Sequence, residues 1–504
     1  MDKLIIVNST DLFTRIALLE NNELAELYIE NLNRRRLSGN IYCGIVTKIL
    51  PGMQAAFVDI GLEKDAFLYI QDITSFRDLE SPLEDEDEDN GSHYINQTHP
   101  EITHYEMSID QLLKLGQKII VQITREPMEM KGARVSTNIA LPGRYLVILP
   151  TLFHIGISKR IRSAEERNRL RVLVEKIKPN ASGVIVRTVA EGCDEEDLRA
   201  DIQNLNMAWL KIQSASQKCK PPSLLHRDLD ALFRVIRDLF DDTIKRVLID
   251  TESDFMQCKE FVSRFAPSLI NRIELYTARD PIFDHYNITG EIEKALQRKV
   301  WLPSGGYIVI DQTEAMVVID VNTGRFVGTE NLEDTVYKTN LEAADIIARQ
   351  IRLRGLGGII VMDFIDMEKQ EHREEVIRRL QLAFECDKGR VNISPFTPMG
   401  LVEMTRKRTK RTLQRTLLQQ CPTCSGSGHI KHPQTIAFQL YSELKDILSR
   451  PGYHSLQVKA HPSLKPFIDE RIEKLRSLFG IRCCNISVML DPNIQIETYR
   501  IFRL

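Results

Sequence analysis

Two aspartates end apolar runs in the second half of the chain. Asp320 closes the run in residues 315–322 (AMVVIDVN), and Asp363 closes the run in residues 358–366 (GIIVMDFID). Both runs predict buried strands, and a helix-length segment over 332–354 is long enough to bring the second strand beside the first. Carboxylates suit Mg²⁺ or Mn²⁺, which commonly hold a phosphate at their remaining positions. The pair therefore predicts a metal site and favours metal-assisted phosphodiester hydrolysis.

Polar neighbours of the two acids have competing interpretations. Asn322 falls on the same strand face as Asp320, where its amide could orient a ligand or the attacking water. An aspartate at a strand end is also a common turn former or helix N-cap, and this is the alternative for either acid alone. On that ground Asp366 is interpreted as the cap of a helix predicted over residues 368–384.

Length and charge indicate a multidomain protein with local charge patches. The chain has 504 residues, which is too long for a single hydrophobic core, and its net charge is only -3. Six consecutive acids at 84–89, within the polar stretch 77–104, predict a loop or disordered insertion. Basic clusters could collect phosphates, and their proximity in sequence to the acid pair favours contact with RNA or DNA. The helix dipole and a solvated helix face are the alternative explanations. These cations are Arg349, Arg352, Arg354, Arg406, Lys407, Arg408, Lys410, Arg411 and Arg415.

The cysteines indicate the compartment and one metal motif. Nine cysteines without a disulfide-like spacing, and no signal-like or membrane-spanning segment, predict a cytoplasmic protein that does not enter a membrane. Cys421 and Cys424 in residues 421–428 (CPTCSGSG) form half of a zinc site. A thioredoxin-like redox pair is the alternative, but the usual strand and helix around it are missing. Two copies of the motif across a twofold axis would complete a zinc-linked homodimer.

Several segments must position these groups. Short strands are predicted at 4–7, 14–19 and 23–29, and a second set at 41–46, 54–59, 66–68 and 118–123 fits a small OB-type barrel. On that barrel Phe57 and Phe67 are candidates for a base-stacking platform, with burial in the barrel core as the alternative. Strands at 145–149 and 183–186 flank a helix over 164–177, and apolar residues recur at helical spacing from 224 to 265. Arg187 and Thr188 follow the 183–186 strand and could bind a phosphate.

Seven motifs together carry a resemblance to a known family. In them the chain resembles the bacterial ribonuclease E/G family over nearly its whole length. The motifs are residues 39–42 (GNIY), 50–61 (LPGMQAAFVDIG), 310–316 (IDQTEAM), 319–324 (IDVNTG), 357–367 (GGIIVMDFIDM), 400–408 (GLVEMTRKR) and the cysteine motif.

The resemblance implies a multidomain α/β and α+β architecture. It consists of an RNase H-like subdomain with an inserted OB-fold barrel and 5′-sensor, a DNase I-like catalytic domain, a zinc link and a small C-terminal α+β domain. The implied bounds are 1–38 with 234–295 for the RNase H-like subdomain, 39–137 for the barrel with its acidic insertion near 80–100, 138–233 for the 5′-sensor, 296–417 for the catalytic domain, 418–431 for the zinc link and 432–504 for the C-terminal domain.

The resemblance also assigns roles to residues. Asp320 and Asp363 would hold catalytic Mg²⁺ with Asn322 in support, and Cys421 and Cys424 would bind structural Zn²⁺ shared between two chains. A pocket for a 5′-monophosphate would be formed by Gly143, Val147, Arg187, Thr188 and Arg390. RNA contacts on the barrel would come from Phe57, Phe67 and Lys131.

The implied activity is Mg²⁺-dependent endoribonuclease cleavage of single-stranded RNA. Cleavage would leave 5′-phosphate and 3′-hydroxyl ends, would be stimulated by 5′-monophosphates, and would serve rRNA maturation and mRNA decay. Homodimers through the zinc link, possible tetramers, and no degradosome scaffold tail are expected. The alternatives are a non-catalytic OB-fold RNA-binding factor, which would gain little from acids facing phosphates, and a DNA-directed nuclease.

Overall fold

A computed structural model describes most of the chain as two compact units, Met1–Thr416 and Leu417–Leu504. The described residues are 2–34, 36–73, 108–127, 131–179, 182–324, 332–385, 387, 389–408, 410–450, 454–479 and 484–503. The acidic tract at 84–89 lies outside them, so the prediction of a loop there stays a prediction.

The strands, numbered in chain order, form five sheets in the described residues. They are β1 Lys3–Ser9, β2 Phe13–Glu20, β3 Glu23–Asn31, β4 Ile41–Leu50, β5 Ala55–Asp59, β6 Ala66–Tyr69, β7 Lys118–Arg125, β8 Arg134–Ser136, β9 Leu141–Pro142, β10 Leu146–Leu149, β11 Ile155–Ile157, β12 Gly183–Val186, β13 Ser223–His226, β14 Ile244–Ile249, β15 Ile273–Leu275, β16 Lys299–Trp301, β17 Tyr307–Gln312, β18 Met316–Asn322, β19 Gly358–Asp363, β20 Val391–Phe396, β21 Leu401–Arg406, β22 His454–Ala460, β23 Cys484–Leu490 and β24 Tyr499–Arg503.

The α-helices range from a single turn to more than twenty residues. They are α1 Ile109–Leu112, α2 Ala164–Ile177, α3 Glu195–Lys218, α4 Ala231–Leu239, α5 Glu252–Ser263, α6 Ile282–His285, α7 Ile288–Leu296, α8 Leu332–Arg354, α9 Gln370–Ala383, α10 Leu413–Leu417, α11 Pro433–Leu448 and α12 Lys465–Phe479. Within the described ranges, every helix falls short of the length and apolarity that a membrane span requires.

The first sheet joins two distant parts of the chain. Its order is β15-β14-β1-β2-β3, so the antiparallel strands of the N-terminus continue into parallel strands from residues 244–275. The three predicted N-terminal strands are confirmed. The helical spacing predicted from 224 to 265 is wrong in part, because β13 and β14 lie within it. Since β14 buries Leu248 on one side and Val247 and Ile249 on the other, its apolar run has no strand-like alternation.

The second sheet is a closed barrel, as predicted. Strands β4, β5, β6, β8 and β7 pair in that order, and β7 pairs again with β4 to complete the circle. This five-strand closure matches an OB-type barrel. Alternate residues such as Val58 and Leu68 fill its core, which leaves the intervening side chains on the barrel surface.

The third sheet, β11-β12-β10-β9, packs with α2 and α3, and the strands and helix predicted between residues 145 and 186 are confirmed. The smaller unit packs α11 and α12 on the sheet β23-β22-β24.

The fourth sheet, here called the β16–β21 sheet, has the order β16-β17-β18-β19-β21-β20. Helices α8 and α9 cover one face through a core that includes Ile319, Ile360 and Ile347. Neighbouring positions along each strand point to the opposite side. We call that side, which carries Asp320 and Asp363, the outer face of the β16–β21 sheet.

Candidate active site

The two acids lie in register on adjacent strands. Strands β18 and β19 are parallel, and the pairing sets Asp320 directly beside Asp363. Adjacent strands lie about 4.8 Å apart, so both carboxylates leave the outer face from neighbouring positions. Helix α8 is the crossover that makes the parallel pairing possible. The prediction that a helix returns the second strand to the first is confirmed.

Asn322 orients one of these carboxylates. Its Nδ2 donates a hydrogen bond to Asp320 Oδ2 at 2.7 Å. Residues two apart on a strand share a face, so this contact follows directly from the spacing in the sequence. The amide steadies the Asp320 side chain without adding a charge to the site.

A third carboxylate affects the electrostatics of the pair. Loss of solvent raises the pKa of Asp363, and the negative charges of Asp320 and Asp366 raise it further. A carboxylate destabilised by like charges is one that a bound cation would relieve. The site therefore carries negative charge that the described side chains do not neutralise.

The interpretation of Asp366 as a helix cap is wrong. Helix α9 begins at Gln370, with Lys369 at its N-cap position. The carboxylate of Glu333, on α8, accepts the backbone N–H groups of Glu368 and Lys369 at 3.2 Å. Asp366 makes no cap hydrogen bond to this helix, and its charge acts on Asp363 instead.

A buried asparagine fixes the loop between these acids, and the sequence reasoning missed it. Asn340 of α8 is fully buried; its Nδ2 donates to Ile365 O at 2.8 Å, and its Oδ1 accepts from Ile365 N at 3.1 Å. Ile365 lies between Asp363 and Asp366, so one side chain holds the backbone of the segment that carries both. A polar residue on the apolar face of a long helix was the available signal.

The predicted phosphate residues are brought together in part. Arg187 is 2% exposed; its Nη1 lies 2.9 Å from Asp238 Oδ1 and donates to Gly143 O at 2.6 Å. Thr188 Oγ1 lies 3.0 Å from Ser158 Oγ. Arg187 and Thr188 line a cavity of about 170 Å³ with Lys3, Leu18, Arg160, Val189, Asp238, Leu239, Asp241, Thr243 and Ile244.

The other members of the predicted pocket do not line this cavity, although the carbonyl of Gly143 contacts Arg187. Gly143, Val147 and Arg390 are not among the described residues that line the cavity. The side chain of Val147 is fully buried, and Arg390 is an exposed residue just before β20. A Cβ at Gly143 would lie 2.5 Å from the Asp201 carboxylate, so glycine is needed there to fit its neighbour.

The aromatics predicted on the barrel lie on its surface. Phe57 and Phe67 are half-buried, and their ring centroids are 5.3 Å apart in an edge-to-face arrangement. The alternative of core burial is wrong, because the neighbouring alternate positions fill the core. Tyr69, which the sequence reasoning missed, extends the group at 4.4 Å from Phe67. Lys131 is exposed. Alternation along β6 was the signal that could have found Tyr69.

The cysteine motif is accessible. Cys421 is exposed and Cys424 is half-buried. Backbone N–H groups of Cys424 and Thr423 hold the pKa of Cys421 below its usual value. A thiol of this kind forms a thiolate more readily, which is the form that binds metal.

Comparison with known proteins identifies the family. A family model described as "Ribonuclease E/G family" matches residues 140–409, the range that contains both acids and Arg187. A ribonuclease G from Haemophilus influenzae is 42% identical over 464 residues, which cover 92% of this chain and 91% of that protein. The chain belongs to the ribonuclease E/G family.

Two further relatives show how the family match extends. A ribonuclease G from Escherichia coli K12 is 41% identical over 440 residues, which cover 87% of each chain. A ribonuclease E from Haemophilus influenzae is 35% identical over 497 residues, which cover 97% of this chain and 51% of that protein. The predicted resemblance to the ribonuclease E/G family is confirmed.

The donor set at Asp320 and Asp363 fits a hard divalent cation. Among the described residues no three His, Cys, Asp or Glu side chains are grouped so as to hold a metal. Mg²⁺ does not need such a cage, because it keeps several waters and is usually held by one or two carboxylates. The oxygens of Asp320 and Asp363, beside the amide of Asn322, provide that set.

Most arginines of the basic motifs are structural in this family member. Arg352 is 7% exposed and pairs with Glu20 at 2.9 Å and Glu26 at 3.1 Å. Arg406 is 5% exposed, pairs with Asp387 at 2.7 Å and donates to the carbonyl of Leu356.

The remaining cations of these clusters are either paired within the fold or exposed. Arg354 is buried beside Gln350, Arg349 pairs with Glu23, and Lys410 donates to Leu27 O. The prediction that these clusters collect phosphates is therefore wrong for the buried arginines. Arg408, which donates to Gly357 O, and Arg411 and Arg415 remain exposed.

Proposed function

We propose that the chain is an endoribonuclease that uses Mg²⁺ to hydrolyse phosphodiester bonds in single-stranded RNA, leaving 5′-phosphate and 3′-hydroxyl ends. The observation that carries the proposal is the direct pairing of Asp320 with Asp363 on an open sheet face. Support comes from relatives named ribonuclease G and ribonuclease E.

The residues of the site have distinct tasks in this proposal. Asp320 and Asp363 hold the ion, and Asn322 keeps Asp320 in one orientation through its 2.7 Å hydrogen bond. When bound, Mg²⁺ supplies positive charge for the reacting phosphate and lowers the pKa of water. The acids alone would repel a phosphate because all three groups are negatively charged. Loss of solvent, followed by repulsion from Asp320 and Asp366, already raises the pKa of Asp363.

Recognition of the RNA is assigned to other surfaces. Phe57, Phe67 and Lys131 would contact single-stranded RNA, because aromatic rings suit base stacking and an exposed lysine suits phosphate binding. A 5′-monophosphate would be recognised through Arg187 and Thr188, the two predicted pocket residues that line one cavity. Binding there would stimulate cleavage.

The physiological setting belongs to the same proposal. The enzyme would act in the cytoplasm on rRNA precursors and mRNA, and the names of its relatives support RNA as the substrate. Zn²⁺ held by Cys421 and Cys424 of two chains would link a homodimer, which could pair further into a tetramer.

One assay tests the catalytic proposal. The protein is incubated with labelled single-stranded RNA and the matching DNA, with Mg²⁺ or with EDTA. We expect cut RNA only with Mg²⁺, and Asp320→Asn should abolish cutting while RNA binding persists. Asp311→Asn is the control, because Asp311 lies on the same outer face but pairs with Arg298. Full cleavage by Asp320→Asn would overturn the assignment.

The barrel surface favours one alternative, a non-catalytic RNA-binding factor. That protein would bind labelled RNA through Phe57 and Phe67 and would release no products with Mg²⁺. Cutting of the DNA strand at a similar rate would instead indicate a DNA-directed nuclease. The same assay separates the three functions.

A further inference from the structure

A second cluster shares the outer face of the β16–β21 sheet with the acids. Along one row of paired residues, Lys299 of β16 pairs with Val309, Val309 with Asp320, and Asp320 with Asp363. Lys299 therefore lies on the same face as the acids, two strands from Asp320, or about 10 Å.

The next row repeats this arrangement with aromatic residues. Trp301 of β16 pairs with Tyr307, and Tyr307 pairs with Asn322. The row between these two, which contains Ile308 and Val321, packs in the core under α8 and α9. Trp301 and Tyr307 therefore face the same side as Asn322 and the acids.

The side chains of this cluster are in mutual contact. Lys299 Nζ lies 4.0 Å from the ring centroid of Trp301 and 3.4 Å from that of Tyr307. The two ring centroids are 5.5 Å apart. The ammonium is thus held by two aromatic rings, which attract a cation without cancelling its charge.

Exposure and charge both single out this cluster. Trp301 is 60% exposed, so much of its indole is open to a ligand. The cationic side chains in the six strands are Lys299 and Arg406, and Arg406 is buried against Asp387. Lys299 is therefore the strand cation on the face that carries the acids.

We propose that Trp301, Tyr307 and Lys299 form a subsite for a nucleotide next to the scissile phosphate. A base of single-stranded RNA stacks on Trp301, and Lys299 contacts a phosphate of the same strand. Aromatic stacking accepts any base, and a cation beside the ring follows the backbone, so the pair suits single strands. This inference rests on the proposed function, because it places the RNA whose phosphate reaches Asp320 and Asp363.

Tryptophan fluorescence tests the contact directly. The chain contains two tryptophans, Trp209 and Trp301, so Trp209→Phe leaves Trp301 as the sole reporter. The probe is a short 5′-hydroxyl RNA, added to a protein that also carries Asp320→Asn to prevent cutting. We expect saturable quenching of the emission. Unchanged emission, while anisotropy of labelled RNA shows binding, would overturn the inference.

Kinetics test the energetic role. Trp301→Ala should raise KM for a short 5′-hydroxyl RNA by about tenfold, with kcat within about twofold, because the stacking is lost. Trp301→Phe should recover most of the loss. Phe153→Ala is the matched control, since Phe153 is 57% exposed and belongs to neither row. A purely structural cluster would lower the melting temperature and leave KM unchanged, and this result would refute the subsite.

The salt dependence of RNA binding distinguishes the contribution of Lys299 from that of Trp301. Lys299→Gln should reduce the slope of log binding constant against log salt by about 0.7, the value for one phosphate contact on a single strand. Trp301→Ala should leave that slope unchanged. A Lys299→Gln protein with the parental slope would refute the phosphate contact.

The outcomes distinguish failure of the nucleotide subsite from failure of the proposed endoribonuclease function. If the parent protein neither cuts nor binds RNA, the proposed function and the subsite fail together. If the parent cuts RNA while Trp301→Ala retains KM and Trp301 emission is insensitive to RNA, the function stands and the subsite is overturned.

Discussion

Replacing Asn340 with leucine should displace the loop that carries two of the acids. The Asn340 side chain makes hydrogen bonds of 2.8 and 3.1 Å to the backbone of Ile365, and it is fully buried. Leucine has a similar size and offers neither a donor nor an acceptor. The Ile365 carbonyl and N–H would therefore lose their partners.

The expected magnitude follows from these two groups. A buried polar group left without a partner costs about 1 to 3 kcal/mol, so two groups set a range of about 2 to 6 kcal/mol. Ile365 is half-buried, and water can replace part of the loss, so we expect the lower end of that range. Misplacement of Asp363 by about 1 Å can cost on the order of a hundredfold in rate. We therefore expect kcat to fall by about 10- to 100-fold.

The assay follows RNA cleavage at several Mg²⁺ concentrations together with the melting temperature. Asn340→Leu should melt a few degrees lower, should cut more slowly and should need more Mg²⁺ for half-maximal rate. Thr339→Val is the matched control, because Thr339 is equally buried but its hydroxyl bonds to Thr335 O within α8. If Asn340→Leu melts lower but keeps the parental kcat and Mg²⁺ requirement, the loop is not positioned by this side chain.

Four other substitutions or treatments have defined outcomes. Asp363→Asn should raise the melting temperature in EDTA at neutral pH, because the folded state raises the pKa of Asp363 and so disfavours its charged form. The gain should vanish at pH values low enough to protonate Asp363 in the unfolded chain as well. Arg187→Ala should erase any preference for 5′-monophosphate over 5′-hydroxyl RNA, and an unchanged ratio of rates would contradict the pocket. Arg406→Met should cost about 3 to 5 kcal/mol in stability, as expected when one partner of a buried ion pair is removed, yet leave the salt slope of RNA binding unchanged. Alkylation of Cys421 should be fast in chelator and suppressed by Zn²⁺, and equal rates in both would count against a zinc site.

The sequence predicted the placement of the acids because the signals were local. Apolar runs that end in Asp320 and Asp363, with one helix between them, are sufficient to predict two adjacent parallel strands. The exact register, which sets these residues directly opposite, depends on the length of α8 and on its packing. No pattern within either strand contains that information.

The predictions failed where the partner of a residue lies far away in the sequence. Arg352 belongs to a basic cluster in the sequence, but Glu20 and Glu26, more than 300 residues earlier, surround it in the fold. Asp366 precedes a helix but does not cap it, and Glu333 of α8 instead binds the backbone N–H groups of the two residues just before that helix. Charge and capping patterns report the preference of one residue, whereas the competition is decided by tertiary contacts.

The distribution of charge across the β16–β21 sheet has a consequence for catalysis. The buried arginine of this sheet, Arg406, forms an ion pair with Asp387. The positive charge of Arg406 is therefore not available to a substrate on the outer face. That face presents Asp320 and Asp363 with Lys299 as its strand cation. An RNA phosphate can approach these acids only if a cation from solution offsets their charge. In the proposed reaction Mg²⁺ is therefore needed for the substrate to reach the site as well as for the chemical step, and raising Mg²⁺ should lower KM as well as raise kcat.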